Sequence, residues 1–264
     1  MTMEAKFFEL DNKVERLRML RQRASQAVVA EFDEKLDFSW IYHDHALEGI
    51  VLSYHELKAA IDKRIISDVS LIPMYEEIKN YKAAIDWVRE LAAQQAANKK
   101  RKGTVTPELV KQLHAILTPE EKAKGDPFRK DNPLHRLYFH EIAQPDKIPA
   151  RLKRLGEWCD EEEILHLHPI ERAARAHFQL MAIYPWPKNS GKVARLFSSL
   201  LLLRDGYPPA IIHSIERQRY YEALRSESAG LVQLFFESLQ NGVETAIRFF
   251  EEVREVKRSV RKAS

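Results

Sequence analysis

The residues best suited to chemistry lie in one short stretch, 183–195, which reads IYPWPKNSGKVAR. Lys188, Lys192 and Arg195 place three cations around Asn189-Ser190-Gly191, and between Glu163 and Asp205 the only acid is Glu171. An apolar helical pattern runs into this loop and a second one starts directly after it. Helix starts expose free backbone N–H groups and the positive end of the macrodipole. A glycine there lets the backbone approach a ligand closely. Together these features describe a phosphate cradle. The same residues also fit a tight interhelical turn capped by Asn189 or Ser190, and on residue chemistry alone both readings stay open.

Other reactive side chains point to structure. His177 lies on an apolar helix face two turns before Tyr184 and reads as a core histidine bonded to backbone. His43, His45, His166 and His168 lack metal-ligand spacing with a third donor nearby, so no metal site is expected. Cys159 is the only cysteine, which excludes an internal disulfide and a cysteine-cluster metal site; it reads as a buried small residue.

The surrounding elements read as helical. Among 264 residues, 45% are apolar and 31% charged, and glycine is scarce at 8, which describes an all-α chain with a real core. Apolar residues recur at helical spacing over 6–31. Ser53 and Glu56 form a capping box that starts a helix at 54–62. Pro73 opens a helix with Ile78, Tyr81, Ala84, Ile85 and Val88 on one face, and Thr106-Pro107 another through Leu117. The stretch 118–134 reads as loop, and 135–142 as a short strand or hairpin. Further helices are expected from Pro149 to Cys159, from His168-Pro169 to Tyr184, from Gly191 to Arg204, and over 214–226 and 229–258. The division expected is an N-terminal helical region at 1–95 and a core with C-terminal helices at 96–264.

A formal charge of +3 excludes a polyanion binder acting through the whole surface. The basic run at 96–104 reads as a solvated loop. With only a short basic tail after 256, DNA is not an expected partner. No apolar run is long enough to span a bilayer and no signal peptide is seen, so a cytoplasmic setting without membrane contact is expected.

The stretch 184–195, Tyr-Pro-Trp-Pro-Lys-Asn-Ser-Gly-Lys-Val-Ala-Arg, resembles the motif of the Fic (Fido) family. That motif runs His-Pro-Phe, one residue, Asp or Glu, Gly-Asn-Gly-Arg, two residues, Arg. The upstream ERAARAHFQLMAI, GYPP at 206–209, Arg217 and Tyr220, EIKNYKAA at 77–84 and GDPFRKDN at 125–132 are also similar to Fic proteins. The resemblance covers roughly 38 to 250. It implies an all-α, Fic-like bundle with a short β-hairpin flap near 135–140, where a protein target would dock. Self-association as a homodimer is also compatible with it.

The family's motif His is the base that activates the target hydroxyl, and its acid holds Mg²⁺ on the nucleotide. Tyr184 and Lys188 stand at those positions. A tyrosine near pKa 10 is a poor base at neutral pH, and a charged lysine cannot ligate a cation. Asn189, Ser190 and Lys192 replace Gly, Asn and Arg; Gly191 and Arg195 are kept. The resemblance thus implies a weakened but still cationic site for ATP or another nucleotide, independent of Mg²⁺, with ordinary AMP transfer lost or strongly reduced. Alternatives are changed chemistry that uses Tyr184, Lys188 or Ser190, or a Fic-shaped scaffold for protein contacts or transcription. A second family element, an inhibitory helix, resembles 41–53: Glu48 and Gly49 match, Asp44 stands at its Ser/Thr position and Ile50 at its Asn. The resemblance implies that Glu48 reaches Arg195 and closes the cradle.

Overall fold

The computed structural model describes residues 2–62, 69–98, 102–122, 125, 128–133 and 140–263. The described residues form helices and no strands. Of the flap expected near 135–140, residues 135–139 lie outside the described residues, and only His140 is described.

Helix α1 (Met3–Arg23) is capped by Thr2 and ends at Ala24; α2 (Gln26–Leu47) starts two residues later. The continuous 6–31 pattern is therefore divided. The division lets α1 pack along the C-terminal helix while α2 turns toward the centre of the molecule. Residues 38–47 form the last part of α2. Gly49, at φ 91°, ends α2 in a left-handed turn, with its N–H on the Ala46 carbonyl and that of Ile50 on His45. Helix α3 (Tyr54–Ile61) begins with both capping-box bonds between Ser53 and Glu56.

Helix α4 (Ile72–Ala97) carries Pro73 in its first turn and buries Tyr75, Ile78, Tyr81, Ala84, Ile85 and Val88. Next come α5 (Pro107–Leu117), a single turn α6 (Pro119–Lys122) inside the stretch expected to be loop, α7 (Ile148–Cys159) and the short α8 (Glu162–His166). Helices α9 (Pro169–Ile183) and α10 (Ser190–Arg204) form the centre, and α10 is buried along nearly its whole length. It packs most extensively on α4 and α9. Helices α11 (Arg217–Arg225) and α12 (Ser228–Ala263) close the other side, with α12 against α1 and α9. A helix apolar all round belongs in the middle of a bundle. Burying a Leu or Phe side chain contributes about 1.5–3 kcal/mol, and α10 places Leu196, Phe197, Leu200, Leu201 and Leu202 at 2% exposure or less. The start of α10 is thereby fixed against α4 and the end of α2.

Candidate functional site

The 184–190 loop is built to be rigid. Helix α9 ends at Tyr184, which adopts a left-handed conformation at φ 47°. That costs a bulky residue about 1–2 kcal/mol. Arg129 offsets it: its Nε donates to the Tyr184 carbonyl at 2.6 Å and its Nη2 to the Ile183 carbonyl at 3.2 Å and to Ala143. The guanidinium thus caps the negative end of α9. Trp186 is fully buried and stacks on the His114 ring at 4.0 Å, and His114 Nε2 lies 3.3 Å from the Lys188 carbonyl. The Ser190 hydroxyl accepts from the Trp186 N–H and donates to the Trp186 carbonyl, each at 2.8 Å. Asn189, at φ 60°, makes the final left-handed step into α10 without a side-chain cap bond.

Six candidate residues therefore occupy different settings. The Tyr184 ring is 2% exposed and faces the His140 ring edge-on at 6.4 Å. Lys188 is exposed. Ser190 is engaged by the loop backbone. Gly191, Lys192 and Arg195 lie on the buried first turns of α10, facing α2 and α4.

Arg195 is the hub of that face. Its Nε donates to an Asp44 carboxylate oxygen, and its Nη2 donates to Glu48 Oε1 at 2.9 Å. Its Nη1 reaches the Tyr220 hydroxyl at 3.5 Å. The Glu48–Arg195 contact implied by the family resemblance is present in the structure. Asp44 also accepts from the Tyr81 hydroxyl. Burial works to lower the Arg195 pKa, but Asp44, Tyr220 and Glu48 outweigh it and hold the guanidinium well above its usual value. Burial lifts the Asp44 carboxyl, against the pull of Arg195 and the Tyr81 hydroxyl toward the charged form. The Glu48 carboxylate also lies over Gly191, where an added Cβ would sit 2.5 Å from Oε1. Gly49 has open space around it and acts through its backbone turn.

Lys192 is 1% exposed and its ammonium is paired with Glu77 on α4. Glu77 is not among the candidates that sequence reasoning singled out. It opens the 77–84 stretch that resembles the family, but its partner stands 115 residues away and periodicity gives no sign of the pairing. Tyr81, Tyr220 and Arg129 were missed in the same way, each inside a matching stretch that carried no assigned role.

His177 is fully buried; its Nε2 pairs with the Tyr220 hydroxyl at 3.0 Å, and the backbone of Ala194 also bonds to the ring. Burial, aided by Arg195, pushes its pKa down to about 3, so the ring is neutral. Cys159 is buried, and burial pushes its thiol up to about 12, which makes it a poor nucleophile.

The donor set does not suit a divalent cation. Asp44 and Glu48 are both spent on Arg195, and Lys188 is an exposed cation. Among the described residues no group of three or more His, Cys, Asp or Glu side chains is placed to hold a metal ion. A cavity of about 240 Å³ opens between α1 and α12, lined by Lys6, Lys13, Phe236 and Glu237, away from this face.

Comparison with known proteins places the fold. Residues 104–202 match the Fic/DOC family model. The chain is 25% identical over 244 residues to "Protein adenylyltransferase Fic" of Drosophila erecta, covering 91% of this chain and 47% of that protein. The Drosophila virilis protein of the same name is 24% identical over 94% of this chain. The chain spans about half the length of the curated relatives it matches. Among solved structures, a Fic domain containing signaling protein from Bacteroides thetaiotaomicron superposes with a TM-score of 0.78 at 22% identity, covering 94% of this chain and 98% of that one. Fic-1 from C. elegans gives 0.75 at 19% identity, over 93% and 71% of the two chains. No helix among the described residues is long and apolar enough to cross a membrane. Residues 104–202 thus match the Fic/DOC family model, and the helical fold around them is similar to that of Fic-domain structures over nearly the full length of the chain.

Proposed function

We propose that this chain is a Fic-fold module whose nucleotide-phosphate site is held shut by its own carboxylates and which does not perform ordinary AMP transfer. The observation that carries the reading is the state of Arg195, whose guanidinium is held by Asp44 and Glu48 at once. Lys192 is likewise held by Glu77. Anionic side chains take the places that phosphate oxygens would need.

The ligand class comes from the relatives, which are named protein adenylyltransferases. Transfer chemistry needs a base at the target hydroxyl, and Tyr184 at that position is buried in a left-handed helix end. Loss of a general base costs about 10²–10⁴-fold. Lys188 can supply charge near a phosphate but not the geometry of a metal ion. The changed-chemistry alternative gains no support from Ser190, whose hydroxyl is bonded on both sides to Trp186.

The test is transfer from α-phosphate-labelled ATP with Mg²⁺. Wild type and Glu48→Gly are expected to label neither themselves nor added protein. The triple variant Glu48→Gly, Tyr184→His, Lys188→Glu is expected to regain self-labelling. Robust labelling by the wild-type chain would overturn the proposal.

A further inference from the structure

His45 and Lys192 meet the same carboxylate. His45, on α2, is fully buried, and its Nδ1 lies 2.7 Å from the Ile41 carbonyl. That bond requires a proton on Nδ1, so in the neutral ring Nε2 is a bare acceptor. Nε2 is buried without a hydrogen-bond partner and stands 3.7 Å from Glu77 Oε1, lone pair toward carboxylate. A buried acceptor left in this way is costly. The groups facing His45 are Glu77 and Tyr81 from α4, with the Tyr81 ring edge-on at 5.3 Å, and Lys192 and Arg195 from α10. Glu77, about one-third exposed, connects this cluster to water.

At rest Lys192 neutralises Glu77 and its charge opposes protonation of His45. Any anion that draws the Lys192 ammonium toward itself leaves Glu77 without a counterion. His45 is then the adjacent group able to supply one, by taking a proton from solvent onto Nε2. We propose that anion binding at Lys192 is coupled to uptake of one proton by His45, with Glu77 exchanging one cationic partner for the other. The inference rests on the reading of 190–195 as an anion site. The resting state agrees with it: burial first, then Lys192, holds His45 down at about 4, although the Ile41 bond and Glu77 act to raise it. Such a site binds anions more tightly as pH falls below neutrality, with a limit of tenfold per pH unit for one proton.

The test has two arms. In the first, the His45 imidazole is titrated by NMR in wild type and in Lys192→Met, which imitates departure of the lysine without adding an anion. The expected result is a pKa raised by at least about one unit in Lys192→Met; an unchanged or lower value overturns the exchange. In the second, sulfate, which takes up no proton in this range, is titrated into Glu48→Gly by calorimetry in two buffers of different ionisation enthalpy. Uptake of one proton, abolished by His45→Asn, is expected. Sulfate binding without proton uptake overturns the coupling while sparing the anion site. Absence of sulfate binding alongside a raised His45 overturns it through the anion-site reading instead. His45→Asn keeps a donor for the Ile41 carbonyl, which protects the fold.

Discussion

The carboxylate of Glu48 occupies the space that a side chain on residue 191 would need: a Cβ there would lie 2.5 Å from Glu48 Oε1 and 3.0 Å from Arg195 Nη1. The glycine and the acid are two halves of one closure. Gly191→Ala is therefore expected to push Glu48 off Arg195. The clash falls on the end of a flexible side chain, so the cost should stay near ~1 kcal/mol. Urea denaturation checks the stability. Crystallography of the variant checks the displacement, and an unmoved Glu48 would count against this geometry.

Arg195 is held unequally by its two acids. The side chain of Asp44 is 6% exposed and that of Glu48 20%. Removing the arginine strands a buried charge at Asp44, so Arg195→Met is expected to cost roughly 3–5 kcal/mol. Glu48 sits at the partly solvated edge, so Glu48→Gln, which leaves Asp44 on the guanidinium, is expected to cost at most ~1 kcal/mol. Equal losses in chemical denaturation would show that Glu48 carries as much as the arginine itself and would contradict this unequal sharing.

Acid should unfold this protein through its buried histidines. His45 and His177 have folded pKa values lowered from 6.5 to about 4 and about 3, in both cases chiefly by burial. The unfolded chain then binds more protons than the folded one between 6.5 and those values. The stability contributed is full above 6.5; on the order of 3 kcal/mol is lost for His45 as pH falls toward about 4, and on the order of 5 kcal/mol for His177 as it falls toward about 3. His177→Asn should flatten that slope relative to wild type when denaturation is repeated at several pH values. An unchanged slope would exclude His177 as a contributor.

Lys188 is a surface residue of a rigid loop. Lys188→Glu should change stability by no more than about 0.5 kcal/mol. Alone it should gain no Mg²⁺ affinity, because Asp44 and Glu48 stay on Arg195. Combined with Glu48→Gly it should make nucleotide binding stronger with Mg²⁺ than without. Calorimetric titration of Mg²⁺ and ATP checks both statements.

What the sequence disclosed follows from how local each signal is. Ser53 and Glu56 announce α3 because a capping box is complete within four residues. The helices after Pro73, Pro107 and Pro169 are visible because proline fits a first turn and an apolar stripe follows. The break at Ala24-Ser25 carries no glycine or proline and is set by α1 packing on α12 while α2 turns inward. The Glu48–Arg195 contact was legible through a family pattern, since its partners lie 147 residues apart. Glu77 with Lys192 and Arg129 beneath Tyr184 are long-range pairings of ordinary polar residues, which no spacing rule singles out.

The central claim is that an anion site exists and that Glu48 closes it. Calorimetric titration of ATP into wild type and Glu48→Gly, with and without Mg²⁺, tests it most directly. The account predicts no measurable binding to wild type and clear binding to Glu48→Gly that does not require Mg²⁺. Equal binding by both proteins would contradict closure by Glu48, and binding by neither would contradict the site itself.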